Sequence, residues 1–333
     1  MLEVTNRCNL SCIHCGSSSG RARPGEMGGD LAAVIGDIAA LGCTTVTLLG
    51  GEILLCREWE TLANRVRDLG MDLIVVTNGL LVDDAVAARL ASLAPSTVGV
   101  SIDGATAETY RAVRGADGLD ASLAALSRLA DAGLGALTAI TCFHRLNLRD
   151  FDRFVDLFSG KPLTWQVQIA GKAGRFPADL FVTLEDYRWL WERILSAKEA
   201  GDVRLATMDD IGYFPLLPAP PSMASWPGCQ AGISVLGIRS NGDVLPCLSL
   251  GDDFVVANLR ERALAGIWAD DALFERFRDK TRHLSGACAA CDVRESCRGG
   301  CTEMAWSATG SVGCDPYCIR AIERSRLVSK VLR

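Results

Sequence analysis

The stretch MLEVTNRCNLSCIHC, residues 1–15, decides the fold. It starts as a short apolar strand and runs directly into Cys8, Cys12 and Cys15, spaced by three residues and then by two. Iron–sulfur clusters are held by cysteine thiolates, and a fully ligated cubane takes four of them. Three thiolates on one tight loop therefore suit a four-iron cluster with one iron left open to another ligand. Two rival readings fit less well. The 14 cysteines are spread over 333 residues with no secretion signal, which is unlike a small disulfide scaffold. Structural zinc takes paired Cys-x2-4-Cys knuckles from two places, whereas this loop is an unpaired three.

Outward from the loop, residues 1 to about 200 alternate β-rich runs with helical ones. Strands are predicted at 1–6, 45–51, 72–78, 97–103, 136–143 and 164–170. Helices at 30–41, 57–69, 82–93, 119–132 and 148–159 carry apolar residues at three- and four-residue spacing. This order predicts an α/β fold with parallel strands and crossover helices, six βα units forming an open, partial TIM-like barrel. Active sites on such sheets lie at the carboxyl ends of the strands.

The cysteine loop resembles the hallmark of radical SAM enzymes, and other motifs follow in that family's order. Gly50, Gly51 and Glu52 end the strand TVTLLGGE, where the family holds the methionine amino group of S-adenosylmethionine. Thr77 in VVTNG and Ser101 in VSIDG match cofactor-contacting positions, with Asp103 and Arg114 as further matches. The resemblance implies close backbone approach at the glycines, an acceptor on Glu52, a ribose contact for Asp103 and a carboxylate contact for Arg114. The alternative for Arg114 is a solvent-exposed charge at a helix end. His14 stands where the family often has an aromatic residue whose backbone lies near the adenine; its ring reads as a packing substitute. Ile53 replaces a proline that commonly follows the glutamate.

A segment at 212–228 holds five of the eleven prolines and reads as a linker. The predicted division is therefore a barrel over 1–210, a linker over 211–228 and a cysteine-rich domain over 229–333. The latter opens with the hairpin GIRSNGDVLPC, residues 237–247, turning at Asn241-Gly242. Helices are predicted at 259–282 and 318–333.

Eight cysteines lie in this last third, and Cys288 to Cys301 alone could be a zinc module. Their combined order resembles the SPASM extension, which binds two auxiliary [4Fe–4S] clusters. Carried over, that pattern places a first cluster on Cys229, Cys247 and Cys301, and a second on Cys288, Cys291, Cys297 and Cys318. The first is then either three-coordinate or completed by Cys314. Cys43, Cys56 and Cys142 read as small buried residues.

With 49% apolar and 22% charged residues, the composition is that of an ordinary globular protein. A net charge of −6 argues against nucleic acid as a partner. No apolar run is long enough for a membrane helix, so a cytoplasmic location is expected, where thiols stay reduced.

The resemblance implies reductive cleavage of S-adenosylmethionine to a 5′-deoxyadenosyl radical that takes hydrogen from a substrate, with an electron donor such as flavodoxin or ferredoxin. Enzymes with this extension mostly modify ribosomally made peptides, forming thioether or carbon–carbon crosslinks. Small-molecule or cofactor biosynthesis is the alternative, and a non-catalytic iron–sulfur or zinc protein a further one. Leu248 follows Cys247 where sulfatase-maturing relatives carry a catalytic aspartate. Seven residues precede Cys8, so either a separate leader-binding protein presents a peptide, the barrel mouth binds it, or the substrate is not a peptide. His144, Arg145, Gln166, Gln168, Lys172 and Arg175 are candidates for substrate contact beyond the later strands.

Overall fold

The structure is a computed structural model that describes residues 1–216 and 226–324. Residues 217–225 of the expected linker and 325–333 of the expected final helix lie outside the described residues. Seven parallel strands run in chain order: β1 (Leu2–Glu3), β2 (Thr45–Leu49), β3 (Asp72–Thr77), β4 (Thr97–Ser101), β5 (Leu137–Phe143), β6 (Thr164–Ile169) and β7 (Arg204–Thr207). Between them lie α1 (Leu31–Ala40), α2 (Trp59–Asp68), α3 (Asp84–Ser92), α4 (Ala107–Arg114), α5 (Leu119–Asp131), α6 (Phe151–Phe158) and α7 (Leu184–Ala200). The six predicted strands are all present, and β7 extends the sheet beyond them. Strand β1 itself covers only Leu2–Glu3, but backbone bonding to the β2 side continues past it: the Val4 amide donates to the Leu49 carbonyl, and the Gly51 and Glu52 amides donate to the Thr5 and Arg7 carbonyls. The Glu26 carboxylate takes the Asn6 amide (2.6 Å) and the Thr5 hydroxyl (3.0 Å) beside this run.

The helix α7 begins at a capping box, with Thr183 and Asp186 bonding reciprocally. An aromatic cluster, Phe143, Phe151, Phe154, Phe158 and Trp165, packs α6 on β5 and β6 and is fully buried. Its one polar atom, the Trp165 indole nitrogen, donates to the Thr141 hydroxyl at 2.9 Å.

On the other side of β1 the same sheet continues through β8 (Gly237–Ile238), β9 (Asp243–Leu245) and β10 (Ala257–Asn258). Strand β8 runs parallel to β1, and β8 and β9 form the predicted hairpin, with Gly242 at φ +90°. The hairpin is also tied to the N-terminus by side chains. The Ser240 hydroxyl donates to Glu3 at 2.8 Å, and Glu3 accepts from Arg23 at 2.6 Å. The predicted helix 259–282 is two helices, α8 (Leu264–Trp268) and α9 (Asp271–Arg278), followed by a 3-10 turn over Lys280–His283. Asp270 causes the break, its carboxylate capping the Ala272 amide at 3.1 Å. Among the described residues no helix is long and apolar enough to cross a membrane.

Candidate functional site

The loop carrying Cys8, Cys12 and Cys15 leaves β1 and folds over the carboxyl ends of the parallel strands. Its course is pinned from both sides. The amides of Ser11 and Ile13 donate to the Arg114 and Val113 carbonyls at the end of α4, and the Arg175 amide donates to the Cys15 carbonyl at 3.2 Å. Gly174, at φ +60°, passes so close that a β-carbon there would lie 2.4 Å from the carbonyl oxygens of both Cys15 and Gly16. Burial pushes the Cys12 thiol up to about 11. Burial acts on Cys15 in the same sense, but the Ser19 groups and Arg175 outweigh it and hold that thiol below its ordinary value. Buried thiols that resist ionisation alone become thiolates when a metal charge is present.

Gly50 and Gly51 are needed for a close approach within the chain itself. A β-carbon on Gly51 would lie 2.4 Å from the Arg7 carbonyl, and the amides of Gly51 and Glu52 donate to Thr5 and Arg7 at 2.8 Å each. Glu52 is buried, and its carboxylate accepts from the Thr77 hydroxyl (2.7 Å), the Asn78 amide (2.7 Å) and the Leu54 amide (3.1 Å). It thus ties the ends of β2 and β3 together.

Asp103, Arg114 and His14 form a buried trio. Asp103 Oδ2 lies 2.6 Å from Arg114 Nη2 and 3.0 Å from His14 Nε2. Neither contact is aligned as a hydrogen bond; Asp103 and Arg114 form a buried ion pair. The other oxygen, Oδ1, accepts from the Cys142 amide at 2.7 Å. Burial alone would raise the Asp103 carboxyl, but Arg114 and then His14 hold it well below its ordinary range. Arg114 is only 4% exposed, which overturns the alternative of a solvent-facing helix-end charge.

These residues surround a cavity of about 500 Å³. Cys8, Cys12, Cys15, His14, Gly50, Gly51, Ser101, Asp103 and Arg114 line one part of it. Glu52 and Thr77 stand behind that wall. The same cavity is also lined by Cys229, Cys247 and Cys301, which approach from three separate segments of the C-terminal third. The Thr302 hydroxyl bonds the Cys229 sulfur at 3.2 Å. A spacing argument could not have brought Cys301 to this group rather than to its sequence neighbours. Cys288, Cys291, Cys297 and Cys318 form another group away from the cavity, where burial and neighbouring cysteines raise the thiols of Cys288, Cys297 and Cys318, Cys297 to about 12. Cys314 belongs beside Cys288, whose thiol is raised by burial and by its contact with Cys314. It is not among the residues lining the main cavity.

Among the described residues no three histidine, cysteine or acidic side chains converge on a point one metal ion would fill. Cysteines that each hold a different iron of a cluster stand further apart. The soft thiolate donor set, grouped as three and five, fits iron–sulfur clusters.

Of the candidates for substrate contact, Gln168 and Arg175 line the cavity. His144 is buried behind it, Arg145 is half-exposed beside Asp186, and Gln166 bonds Gln168. Lys172 instead lines a polar cavity of about 400 Å³ with Arg23 and Arg239. Gly16, Ser17, Ser249 and Leu250 belong to the walls of both cavities. Cys142, read as a small buried residue, also lines the main cavity, as do Asp209, Asp210 and Glu303, which sequence reasoning did not single out. Burial raises Asp210 to about 7 and Glu303 to about 8. The double acid after β7 was hidden because β7 itself, RLAT, is too short to announce a strand end.

The model of the radical SAM superfamily matches residues 2–158, and that of an iron–sulfur cluster-binding domain, SPASM, matches residues 229–292. Mycofactocin maturase MftC of Mycobacterium tuberculosis is 30% identical over 325 residues, covering 96% of this chain and 82% of the maturase. An AdoMet-dependent heme synthase of Methanosarcina barkeri is 28% identical over 335 residues, covering 95% of each protein. Among solved structures, Streptococcus suis SuiB bound to S-adenosylmethionine has the same fold, with a TM-score of 0.75 at 20% identity over 95% of this chain and 76% of that one. Its complex with the precursor peptide SuiA gives a TM-score of 0.73 at 20% identity, over 95% of this chain and 74% of that one. With a three-cysteine loop, matched motifs at the strand ends and a second cysteine trio lining the same cavity, the chain belongs to the radical SAM superfamily, in the branch with a SPASM cluster-binding region.

Proposed function

We propose that this enzyme modifies a ribosomally made peptide, forming a thioether or carbon–carbon crosslink or a related bond. The observation that carries the reading is a single cavity, lined by the S-adenosylmethionine motifs and by Cys229, Cys247 and Cys301, in a chain 30% identical to a peptide maturase along nearly its whole length. The bound cluster and S-adenosylmethionine supply a 5′-deoxyadenosyl radical able to remove hydrogen from an unreactive C–H bond. The protein holds the cofactor by the strand ends of β2 to β4, with Arg114 for its carboxylate. Gln168, Leu248 and the acids Asp209, Asp210 and Glu303 form the surface met by the substrate. The adjoining polar cavity, with Arg23, Lys172 and Arg239, gives an extended peptide a route between barrel and C-terminal region. A flavodoxin or ferredoxin serves as electron donor, and a separate leader-binding protein can present the peptide.

Co-expression without oxygen with a candidate short precursor peptide, chosen from any small open reading frame beside the gene, tests this by mass spectrometry. A changed mass with a mapped crosslink is expected. An unmodified peptide together with turnover of a tetrapyrrole would favour the second reading, small-molecule chemistry, which the 28% identity to a heme synthase supports.

A further inference from the structure

Lys280 is only 1% exposed, at the start of the 3-10 turn that follows α9. Lysine is seldom buried to this degree unless an opposite charge meets it. Here Nζ donates to two neutral acceptors, the Gly300 carbonyl and the Thr302 hydroxyl oxygen, each at 2.9 Å. Asp315, an acid on which the lysine's charge acts, is engaged instead by the Tyr213 hydroxyl and by the Tyr317 amide at 2.8 Å. Gly300 and Thr302 flank Cys301, and the same charge acts on Cys297, so Lys280 is near both sets of C-terminal cysteines.

Thr302, also buried, passes the contact on to a sulfur. Its oxygen accepts from Lys280, and its own hydrogen goes to Cys229 Sγ at 3.2 Å. An ammonium group has donors and no acceptor, so a hydroxyl facing it must offer a lone pair and turn its hydrogen elsewhere. The other two sulfurs of this trio take donors from their own stretch of chain, Cys247 from Ser249 and Cys301 from the Met304 amide. Only for Cys229 does the donor come from 73 residues further along.

A thiolate-ligated cluster is an anion and gains one more negative charge on reduction. Its potential is set by net charge, by hydrogen bonds to the sulfurs and by exposure. A nearby cation, or an O–H donor aimed at a ligating sulfur, therefore stabilises the reduced form more than the oxidised one. The cluster's charge in turn supplies what the buried lysine needs.

We infer that Lys280 and Thr302 are positioning residues that raise the reduction potential of the cluster on Cys229, Cys247 and Cys301: Lys280 fixes the Thr302 hydroxyl as a donor to Cys229 and adds its own positive charge. These three cysteines line the main cavity, so the potential there bears on any electron exchanged with what the cavity holds. The inference rests on the assignment of the trio to one cluster and is independent of which substrate the enzyme takes.

The test is a redox titration of the anaerobically reconstituted enzyme followed by electron paramagnetic resonance, with iron content and thermal melting as controls for an intact fold. The signal to follow is the one lost when Cys229, Cys247 and Cys301 are all replaced by alanine. Poised at the wild-type midpoint, Thr302→Val should lower the ratio of reduced to oxidised cluster about tenfold, the size of one hydrogen bond and about 59 mV for a one-electron couple. Thr302→Ser keeps the hydroxyl and should stay within about twofold of wild type. Lys280→Met removes the charge as well as the constraint on the hydroxyl, and should lower the ratio at least as far as Thr302→Val. The two Thr302 variants read the effect even where Lys280→Met fails to fold. A ratio within about twofold of wild type for Thr302→Val at full iron content would overturn the inference. So would an equal fall in Thr302→Ser, because the hydroxyl would then not be the agent, and an unmoved ratio in iron-replete Lys280→Met would remove the lysine's role. If no signal depends on the three cysteines, the ligand assignment fails and the inference falls with it, a result distinct from an unmoved potential.

Discussion

Asp103 and Asp210 occupy the same cavity wall and are pushed in opposite directions by what surrounds them. Asp103 sits against Arg114 and stays ionised, while burial without a cation raises Asp210 from an ordinary 3.8 to about 7. Only one Asp210 oxygen is bonded, to the Ile169 amide at 2.6 Å; the other has no partner among the described residues. The fold therefore favours its protonated form. Stability from such a group is fully present below the unfolded value and is lost as pH rises through about 7. Relative to Asp210→Asn, which stays neutral, the wild type should lose melting temperature between pH 5 and pH 8. Parallel thermal scans of the two proteins check this, and parallel curves would contradict it. Neither environment was legible from DD or SIDG in the sequence, because each is made by residues far away in the chain.

At the scale of elements, alternation and helical spacing located six of the seven parallel strands and most of the crossover helices. The motifs fell at strand ends as the α/β pattern required. What was missed has local causes: Asp270 splits a helix, and β7 is only four residues long. The cysteine loop is shaped as much by its neighbours as by its own sequence. Gly174, beyond β6, is left-handed and packed on the Cys15 and Gly16 carbonyls. Gly174→Ala should cost about 1–2 kcal/mol from backbone conformation alone, with the clash added. It should also lower the iron bound by the first loop. Chemical denaturation and iron analysis read the two effects, and an iron content equal to wild type would show that the loop does not depend on this contact.

For the whole molecule, one continuous sheet runs through both the barrel and the cysteine-rich region, in which β8 flanks β1 and carries the C-terminal cysteines to the barrel mouth. That pairing explains how residues more than 200 positions apart come to line one cavity. The family resemblance supplied the grouping of Cys229, Cys247 and Cys301; the structure adds that this trio lines the same cavity as Cys8, Cys12 and Cys15, and that Cys314 lies with Cys288. The central claim is that two separate cysteine trios, each holding its own cluster, line one cavity. It is tested most directly by counting iron in the anaerobically reconstituted wild type and in two triple cysteine-to-alanine variants, one at positions 8, 12 and 15 and one at positions 229, 247 and 301. The account predicts about twelve irons per wild-type chain and about eight in each variant, with release of 5′-deoxyadenosine abolished in the first. Zinc in place of iron, or a full iron complement after loss of Cys229, Cys247 and Cys301, would contradict it.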